Sequence, residues 1–355
     1  MPPFTFDAAP ERIYWELTRA CDLACRHCRA CALARRDQRE LETGEIFRTL
    51  EEIAAEAKPH VIFTGGDPLK RSDFFDIVKH AVALGLPCSV SPSVTPLLTE
   101  TVIARLAALR VGAMSLSLDG STASRHDALR GVVGTFTRTL TLAQTIADTP
   151  IALQINTLVT RGTVADLPAI HRVVQETGAE RWSLFFLIAT GRGTALEPIS
   201  PARAETTLNW ALDRAGSKKP VVTTTEAPHY RRIALTRRKA GRTHAPGGPI
   251  RGAGIRDGNG VMFISHIGEV QPSGFLPLAA GNARAEHVLR VYRESPLFQE
   301  LRQPDRFRGR CGRCEFRHVC GGSRARAYAA SGDPLESDPL CAHVPAASSQ
   351  TPALA

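Results

Sequence analysis

Short apolar segments rich in β-branched residues alternate, along the first half of the chain, with longer segments whose apolar positions recur with helical spacing. Helical spacing is found at 43–57, 72–84 and 98–110. This alternation predicts repeated strand–helix units around a parallel sheet. Six repeats are too few for a closed eight-fold barrel, so we expect an α/β fold built on an open, partial (β/α)6 TIM-like barrel, with ligands at the carboxyl ends of the strands. The predicted strands are 12–18, 60–66, 87–93, 112–120, 151–159 and 181–188.

The alternation fades after residue 200, where a polar stretch rich in arginine and glycine begins. We expect residues 201–260 to form a flexible linker that covers the substrate. Two apolar runs flank the turn residues His266 to Gly268, which predicts a β-hairpin at the start of a small C-terminal cysteine domain. The predicted domains are therefore a barrel core at 1–200, a linker at 201–260, a cysteine domain at 261–345 and a disordered tail at 346–355.

The composition, with 43% hydrophobic and 22% charged residues among 355, is that of an ordinary globular protein. No apolar run approaches the roughly 20 residues of a transmembrane helix, and the N-terminus lacks a secretory signal, so we expect a cytoplasmic protein without membrane contact. Thiols in a reducing compartment are more often metal ligands or catalytic groups than disulfides, which directs attention to the nine cysteines. The net charge of +9 favours an anionic small molecule or a peptide as partner over nucleic acid, because no stacking aromatic residues accompany the basic ones.

Three cysteines stand directly after the first predicted strand, with the spacing C-x3-C-x2-C: Cys21, Cys25 and Cys28. Three thiolates on a cluster of four irons leave one iron without a protein ligand, and an open coordination site is what substrate chemistry requires. Cys31 is a fourth thiol nearby, so a four-thiolate zinc or electron-transfer site remains an alternative. We interpret Cys31 as a spare thiol.

This triplet, on the loop after the first strand of a strand–helix repeat, resembles the radical S-adenosylmethionine (SAM) superfamily. The resemblance implies a [4Fe–4S] cluster on Cys21, Cys25 and Cys28, with SAM on the free iron. It also implies reductive cleavage of SAM to a 5′-deoxyadenosyl radical, with electrons from a flavodoxin- or ferredoxin-type protein. Gly65-Gly66-Asp67, after the second strand, resembles the family motif that binds the SAM amino group, with aspartate in place of glutamate.

Polar residues also end the fourth and fifth predicted strands. Ser117 and Asp119 follow one, and Asn156 closes the other. Related enzymes use such positions to recognise ribose hydroxyls, and this is the role that we expect here. Capping or turn formation is the competing interpretation for each of them.

A second cysteine group near the C-terminus has the spacing C-x2-C-x5-C followed by one distant cysteine. It resembles the auxiliary cluster of the SPASM/twitch extension carried by many radical SAM enzymes, which implies a small C-terminal iron–sulfur domain. Four thiolates would saturate this second [4Fe–4S] cluster, which favours electron transfer or a structural role. A further auxiliary cluster is not expected, because Ser273 and Arg324 occupy positions where its cysteines would stand. The implied ligands are Cys311, Cys314, Cys320 and Cys341.

The segment from Cys320 to Cys341 looks closest to the radical SAM proteins of heme and heme d1 biosynthesis. That resemblance implies the decarboxylation or removal of carboxylated side chains on an iron tetrapyrrole, with His229 or His266 as candidate ligands of the substrate iron. Two alternatives stay open: a maturase that cross-links or oxidises a ribosomally made peptide, and a non-catalytic iron–sulfur or zinc protein. The arginines expected to meet substrate carboxylates are Arg308, Arg310, Arg313, Arg324 and Arg326.

Overall fold

The structure, a computed structural model, describes residues 6–215, 219–241 and 254–346. The predicted disordered tail lies outside these ranges except for residue 346. Eleven strands are found in the described ranges: β1 (Arg12–Glu16), β2 (His60–Thr64), β3 (Cys88–Val90), β4 (Ala113–Ser117), β5 (Ala152–Val159), β6 (Arg181–Phe186), β7 (Val221–Thr225), β8 (Arg256–Asp257), β9 (Gly260–Ile264), β10 (Glu269–Gln271) and β11 (Gly281–Asn282).

The helices alternate with the strands through the first two thirds of the chain. None of those in the described ranges is long and apolar enough to cross a membrane. They are α1 (Thr43–Glu56), α2 (Phe74–Ala83), α3 (Glu100–Ala108), α4 (Ala123–Arg130), α5 (Thr135–Ala147), α6 (Leu167–Glu176), α7 (Pro201–Arg214), α8 (His229–Lys239), α9 (Val288–Glu294), α10 (Pro296–Leu301), α11 (Gly309–Gly312) and α12 (Arg324–Ser331).

Strands β1 to β7 lie side by side in chain order, and every neighbouring pair is parallel. On the other side of β1 the sheet continues through β9, which is parallel to β1, and then through the antiparallel strands β10 and β11. Within the described ranges the sheet order ends at β7 and β11 without closing. The predicted open, partial barrel is therefore confirmed, and it has one strand more than expected.

The two faces of the sheet differ in polarity because side chains alternate along each strand. Residues such as Trp15, Phe63 and Leu184 point outward and are buried beneath the helices in one large apolar core. The inner face instead carries hydroxyl and amide groups; for example, Ser91 Oγ and Ser115 Oγ lie 2.6 Å apart. The barrel interior is thus suited to a polar ligand.

The prediction of an irregular linker over 201–260 is wrong for its first part, which forms α7, β7 and α8. Strand β7 is a short edge strand of sequence VVTTT, in which Thr223 and Thr225 face the polar interior beside Ser183, so it lacks a buried strand's apolar pattern. Helix α8 is rich in arginine, yet Tyr230 and Ile233 pack into the main core. Residues 216–218 and 242–253 of the predicted linker lie outside the described ranges.

The predicted hairpin is confirmed as β9 and β10, which pair antiparallel. Its first strand joins the barrel sheet beside β1, and Met262 and Ile264 belong to the main apolar core. The segment that follows is attached to the end of β6 through a second apolar cluster. That cluster contains Ile188, Leu276, Leu301, Phe307, Ala325 and Leu335.

Candidate functional site

The three N-terminal cysteines lie on the connection between β1 and α1, which folds back on itself. The Cys21 N–H donates to Leu33 O at 2.8 Å and closes the base of this loop, which we call the cysteine loop (residues 17–42). The Cys28 N–H donates to Cys25 O at 3.2 Å, so the chain turns between the second and third cysteines. As a result, Cys21, Cys25 and Cys28 share one small apolar cluster at the carboxyl end of β1.

Each of these three sulfurs accepts a hydrogen bond from an N–H group. Burial raises the pKa of the Cys21 thiol, so a thiolate there needs stabilising partners such as a metal and these donors. The three thiols therefore fit an iron–sulfur cluster with three protein ligands, and Cys31 lies outside their apolar cluster. The donors are Leu23 N to Cys21 Sγ at 3.4 Å, Arg130 Nη1 to Cys25 Sγ at 3.7 Å and Ala32 N to Cys28 Sγ at 3.4 Å.

Gly65 and Gly66 lie against the cysteine loop, and their lack of side chains is required by that contact. A Cβ atom on Gly65 would stand 2.4 Å from Thr18 O, and one on Gly66 would stand 2.4 Å from Ala20 O. The same approach allows two backbone hydrogen bonds of 2.7 Å, from Gly66 N to Thr18 O and from Asp67 N to Ala20 O. The glycines thus fix the cysteine loop on the end of β2.

Asp67 is 0% exposed, and both of its carboxylate oxygens already accept hydrogen bonds. Oδ2 accepts from Thr95 Oγ1 at 2.7 Å and Oδ1 accepts from Leu69 N at 3.2 Å. Burial raises the pKa of Asp67. The Asp67 side chain therefore caps the turn after Gly66, and its contact with the SAM amino group stays a prediction.

Asp119 is likewise buried and committed to protein partners. Its Oδ1 accepts from Leu158 N at 2.7 Å, and its Oδ2 forms an ion pair with Arg130. Against the effect of burial, the Arg130 charge lowers the pKa of Asp119. Asp119 thus holds Arg130 beside Cys25, and its contact with the SAM ribose stays a prediction. Sequence reasoning missed Arg130, because nothing local marks the last residue of α4 as a neighbour of Cys25, which lies 105 residues earlier in the chain.

Ser117 and Asn156 do face the barrel interior together. They are register partners, Ser117 as the last residue of β4 and Asn156 three residues before the end of β5. Asn156 Oδ1 accepts a hydrogen bond from Gln154 Nε2 at 2.7 Å, which orients the amide. Ser93 lies after β3, with Oγ 3.3 Å from Cys21 Sγ. Contact of Ser117 and Asn156 with the SAM ribose stays a prediction.

The C-terminal cysteines Cys311, Cys314, Cys320 and Cys341 line one cavity. Burial raises the pKa of the Cys320 thiol to about 12, and the neighbouring Cys341 and Cys311 add to this effect because their sulfurs converge on it. A set of N–H donors again surrounds the sulfurs, so the cavity fits a centre with four thiolate ligands. They include Phe316 N to Cys314 Sγ at 3.4 Å, Asp338 N to Cys311 Sγ at 3.4 Å and Arg324 Nη2 to Cys311 Sγ at 3.5 Å.

A smaller metal-binding set at the rim of this cavity was not expected from the sequence. Ligand atoms of Cys314, Glu315 and His343 all lie within 4.8 Å of one another. The 2.9 Å contact between His343 Nε2 and Glu315 Oε1 already pairs two members of this set, while Cys314 also belongs to the four-cysteine cavity. The quartet is therefore the more complete donor set of the two.

Comparison with known proteins relates this geometry to a family. Residues 15–168 match the radical SAM superfamily. An AdoMet-dependent heme synthase of Methanosarcina barkeri is 37% identical to this chain, over 95% of this chain and 97% of that protein. The chain belongs to the radical SAM superfamily. The resemblance seen in its motifs is confirmed.

Two further relatives extend over most of their own length as well. An AdoMet-dependent heme synthase of Nitratidesulfovibrio vulgaris is 39% identical over 94% of this chain and 92% of that protein. A pre-heme d1 synthase of Dinoroseobacter shibae is 28% identical over 96% of this chain and 88% of that protein. Among solved structures, Streptococcus suis SuiB bound to S-adenosylmethionine has a TM-score of 0.73 and 16% identity, covering 95% of this chain and 78% of that one, which shows a shared fold.

As a radical SAM protein the chain is an enzyme that uses SAM and a [4Fe–4S] cluster. The predicted enzyme class is thereby confirmed, and the alternative of a non-catalytic iron–sulfur or zinc protein is set aside. The fit of Cys21, Cys25 and Cys28 to a three-thiolate cluster agrees with this membership.

Two arginines that the sequence assigns to the substrate of this radical SAM enzyme are buried in its framework. Arg324 is 0% exposed and donates to Pro334 O at 3.0 Å and to Glu336 O at 2.7 Å. Arg326 is also buried, and it links Asp338 to Glu226 O at the end of β7. Both predicted substrate contacts are corrected, because Arg324 satisfies backbone carbonyls near the cysteine quartet and Arg326 satisfies those at the ends of β6 and β7.

The remaining candidates are divided between surface and core. Arg308 is paired with Asp333 at 2.6 Å and Arg310 donates to the backbone beside the quartet, while Arg313 is exposed. His229 and His266 are both buried, the latter 2.9 Å from Glu16 Oε1. A role of either histidine as a ligand of a substrate iron stays a prediction.

Proposed function

We propose that this radical SAM enzyme acts on an iron tetrapyrrole and converts carboxylated side chains of that ring during heme formation. The observation that carries the proposal is the 37–39% identity, over at least nine tenths of the chain, to proteins named AdoMet-dependent heme synthase. The polar inner face of the barrel and the net charge of +9 are consistent with a substrate that bears several carboxylates.

We assign the SAM-binding [4Fe–4S] cluster to Cys21, Cys25 and Cys28. When bound, this group supplies the electron that cleaves SAM to the 5′-deoxyadenosyl radical, which abstracts a hydrogen atom from the substrate. Ser117 and Asn156 are the proposed partners of the SAM ribose, because these two register partners on β4 and β5 both face the interior of the barrel. The N–H donors around the three thiols hold the loop in the geometry that such a ligand set needs.

The reaction class follows from balancing atoms on a propionate side chain. Abstraction of one hydrogen atom, followed by loss of the carboxylate as carbon dioxide, leaves a vinyl group and one surplus electron. An electron acceptor is therefore required. A cluster with four protein thiolates has no open iron and suits electron transfer, so we assign a second [4Fe–4S] cluster to Cys311, Cys314, Cys320 and Cys341.

An electron-donor protein and a cellular location belong to the same proposal. A one-electron donor of the flavodoxin or ferredoxin type would supply the electron for SAM cleavage. A cytoplasmic location is proposed because seven cysteines must stay reduced to serve as metal ligands. We expect neither nucleic acid nor membrane as a partner.

The test is an anaerobic assay of the reconstituted full chain with dithionite, SAM and Fe-coproporphyrin III, a porphyrin with propionate side chains. The expected products are 5′-deoxyadenosine, carbon dioxide and a porphyrin that has gained vinyl groups. Formation of 5′-deoxyadenosine without any change in the porphyrin would contradict the assigned substrate. It would favour the alternative of a peptide maturase.

The role of the quartet is tested by Cys314→Ala, with Cys31→Ala as the matched cysteine control. We expect Cys314→Ala to keep uncoupled SAM cleavage and to lose most of the vinyl product, since only the electron acceptor is damaged. Equal loss of both activities would argue against electron transfer as the role of the quartet.

A further inference from the structure

Arg29 follows the predicted cluster ligand Cys28 directly, and its side chain lies against the β9–β10 hairpin. Its guanidinium carbon is 4.7 Å from the ring centroid of Phe263 and 6.0 Å from that of Phe275. The side chain remains 21% exposed. A cation thus lies beside two aromatic rings, immediately next to the cysteines.

Glu16, at the end of β1, holds this guanidinium in a fixed orientation. Arg29 Nη2 donates to Glu16 Oε2 at 2.7 Å, and His266 Nδ1 lies 2.9 Å from Glu16 Oε1. Against the effect of burial, the Arg29 charge and the His266 contact lower the pKa of Glu16, which keeps this carboxylate ionised. In the part of the chain that the structure describes, Nε and Nη1 of Arg29 have no hydrogen-bond acceptor, so most of its N–H groups are free for a ligand.

The hairpin leaves room for the guanidinium at Gly274. A Cβ atom there would lie 3.2 Å from Arg29 Cζ and 2.9 Å from the Phe263 ring. A larger residue would therefore press on both groups that form this surface. The arginine therefore lies in a site formed together with the two rings and the glycine, and it is not an isolated charge on the surface.

Other arginines near the cysteine groups differ from Arg29 in their exposure and in their hydrogen-bond partners. Arg324 and Arg326 are buried and satisfy backbone carbonyls, while the Arg308 side chain, paired with Asp333, is 64% exposed and lies on the surface. Arg29 is partly exposed, keeps free donors, and stands one residue from the thiol that is proposed to hold the SAM cluster.

We propose that Arg29 binds a carboxylate of the substrate, while the partly exposed Phe275 contacts its flat macrocycle; Phe263 is 2% exposed and supports the guanidinium from within the protein. This inference rests on the proposed function, which supplies a substrate with carboxylates on an aromatic ring. A guanidinium presents parallel N–H groups that match a carboxylate, and aromatic faces suit a planar ring. Binding here would hold one carboxylated side chain near the site where the radical is formed.

The experiment compares Arg29→Gln and Arg29→Lys with Arg35→Gln, a control at an exposed arginine of the same loop. Binding of Fe-coproporphyrin III and of its methyl ester to the reconstituted full chain is followed through the porphyrin absorbance. The ester keeps the ring and removes the negative charge. Uncoupled SAM cleavage and iron content are measured in parallel, because they report whether the cysteine loop is intact.

We expect wild type and Arg35→Gln to bind the acid more tightly than the ester. Arg29→Gln should weaken acid binding about 10- to 100-fold, the usual effect of losing a charged hydrogen-bond partner, and should bind the ester as wild type does. Arg29→Lys should recover part of the preference for the acid. Iron content and uncoupled SAM cleavage should remain at the wild-type level.

Two other results would overturn the inference in distinguishable ways. If wild type binds the acid and Arg29→Gln keeps the full preference over the ester, then Arg29 does not bind the carboxylate, although the proposed function stands. If wild type binds neither compound, the proposed function fails and the inference fails with it.

Discussion

The contact between Gly66 and the cysteine loop gives a sharp test of what this glycine does. In Gly66→Ala the added Cβ atom would lie 2.4 Å from Ala20 O, where ordinary contact begins at 3.4 Å. The obstacle is backbone, so the cysteine loop must move by about 1 Å. The movement would also strain the hydrogen bonds from Gly66 N to Thr18 O and from Asp67 N to Ala20 O.

The expected cost follows from these two effects. Overpacking of this kind costs about 1–3 kcal/mol, and each of the two weakened hydrogen bonds costs up to about 1 kcal/mol, so the free energy of unfolding should fall by about 1–5 kcal/mol. Iron incorporation should fall as well, because the displaced loop carries Cys21. Urea denaturation of the apoprotein and iron content after reconstitution measure the two effects separately.

Gly44→Ala is the matched control. Gly44 lies in the first turn of α1, and a Cβ there meets nothing within 4 Å. Alanine should therefore leave iron content unchanged and stabilise the helix by up to about 1 kcal/mol. If Gly66→Ala matched this control in stability and iron content while SAM binding alone weakened, the glycine would serve the ligand and the loop-packing explanation would be refuted.

Three further predictions concern buried charged groups. Arg130→Met should destabilise the apoprotein by about 3–5 kcal/mol in urea denaturation, because it leaves Asp119 buried without its partner; a change below about 1 kcal/mol would contradict the ion pair's role. Burial lowers the pKa of His126 in the folded protein from 6.5 to about 4, so on acidification the unfolded chain binds the proton first. Stability should therefore fall as the pH is lowered from about 6.5 towards 4. His126→Gln should flatten this part of the plot of Tm against pH, and an unchanged plot would contradict the role of His126. Arg324→Met should lose about half of the bound iron, that of the quartet, while Arg313→Gln should keep all of it; equal iron in the two variants would contradict the structural role of Arg324.

The parts of the fold that the sequence predicts well are those with a strong local pattern. Strands β1 to β6 alternate apolar outer residues with polar inner ones, and the helices between them carry apolar stripes, so each element is visible from its own residues. Strand β7 was not predicted because its three consecutive threonines place similar polar residues on both faces and so lack that contrast. Helix α8 escapes it because arginines dominate its sequence and only one side is buried.

In the candidate site, too, the features with a local sequence pattern were predicted and those that depend on distant residues were not. Cysteine spacing is a local property, and the structure brings each predicted set together. Which partner an acidic or basic side chain has depends on residues elsewhere in the chain. Asp119 is paired with Arg130 from the end of α4, and Arg324 donates to carbonyls of the segment after α12. A charged residue in a sequence therefore indicates a site only when its partners are known.

The central claim is that the three-thiolate centre on Cys21, Cys25 and Cys28 leaves one iron open for SAM. Electron paramagnetic resonance of the anaerobically reconstituted, dithionite-reduced Cys314→Ala protein, recorded with and without SAM, tests it most directly because the quartet is disabled. We predict a [4Fe–4S] signal whose g values change when SAM is added, and the same change in a variant that also carries Cys31→Ala. A signal that SAM leaves unaltered, or bound zinc in place of iron, would contradict the account.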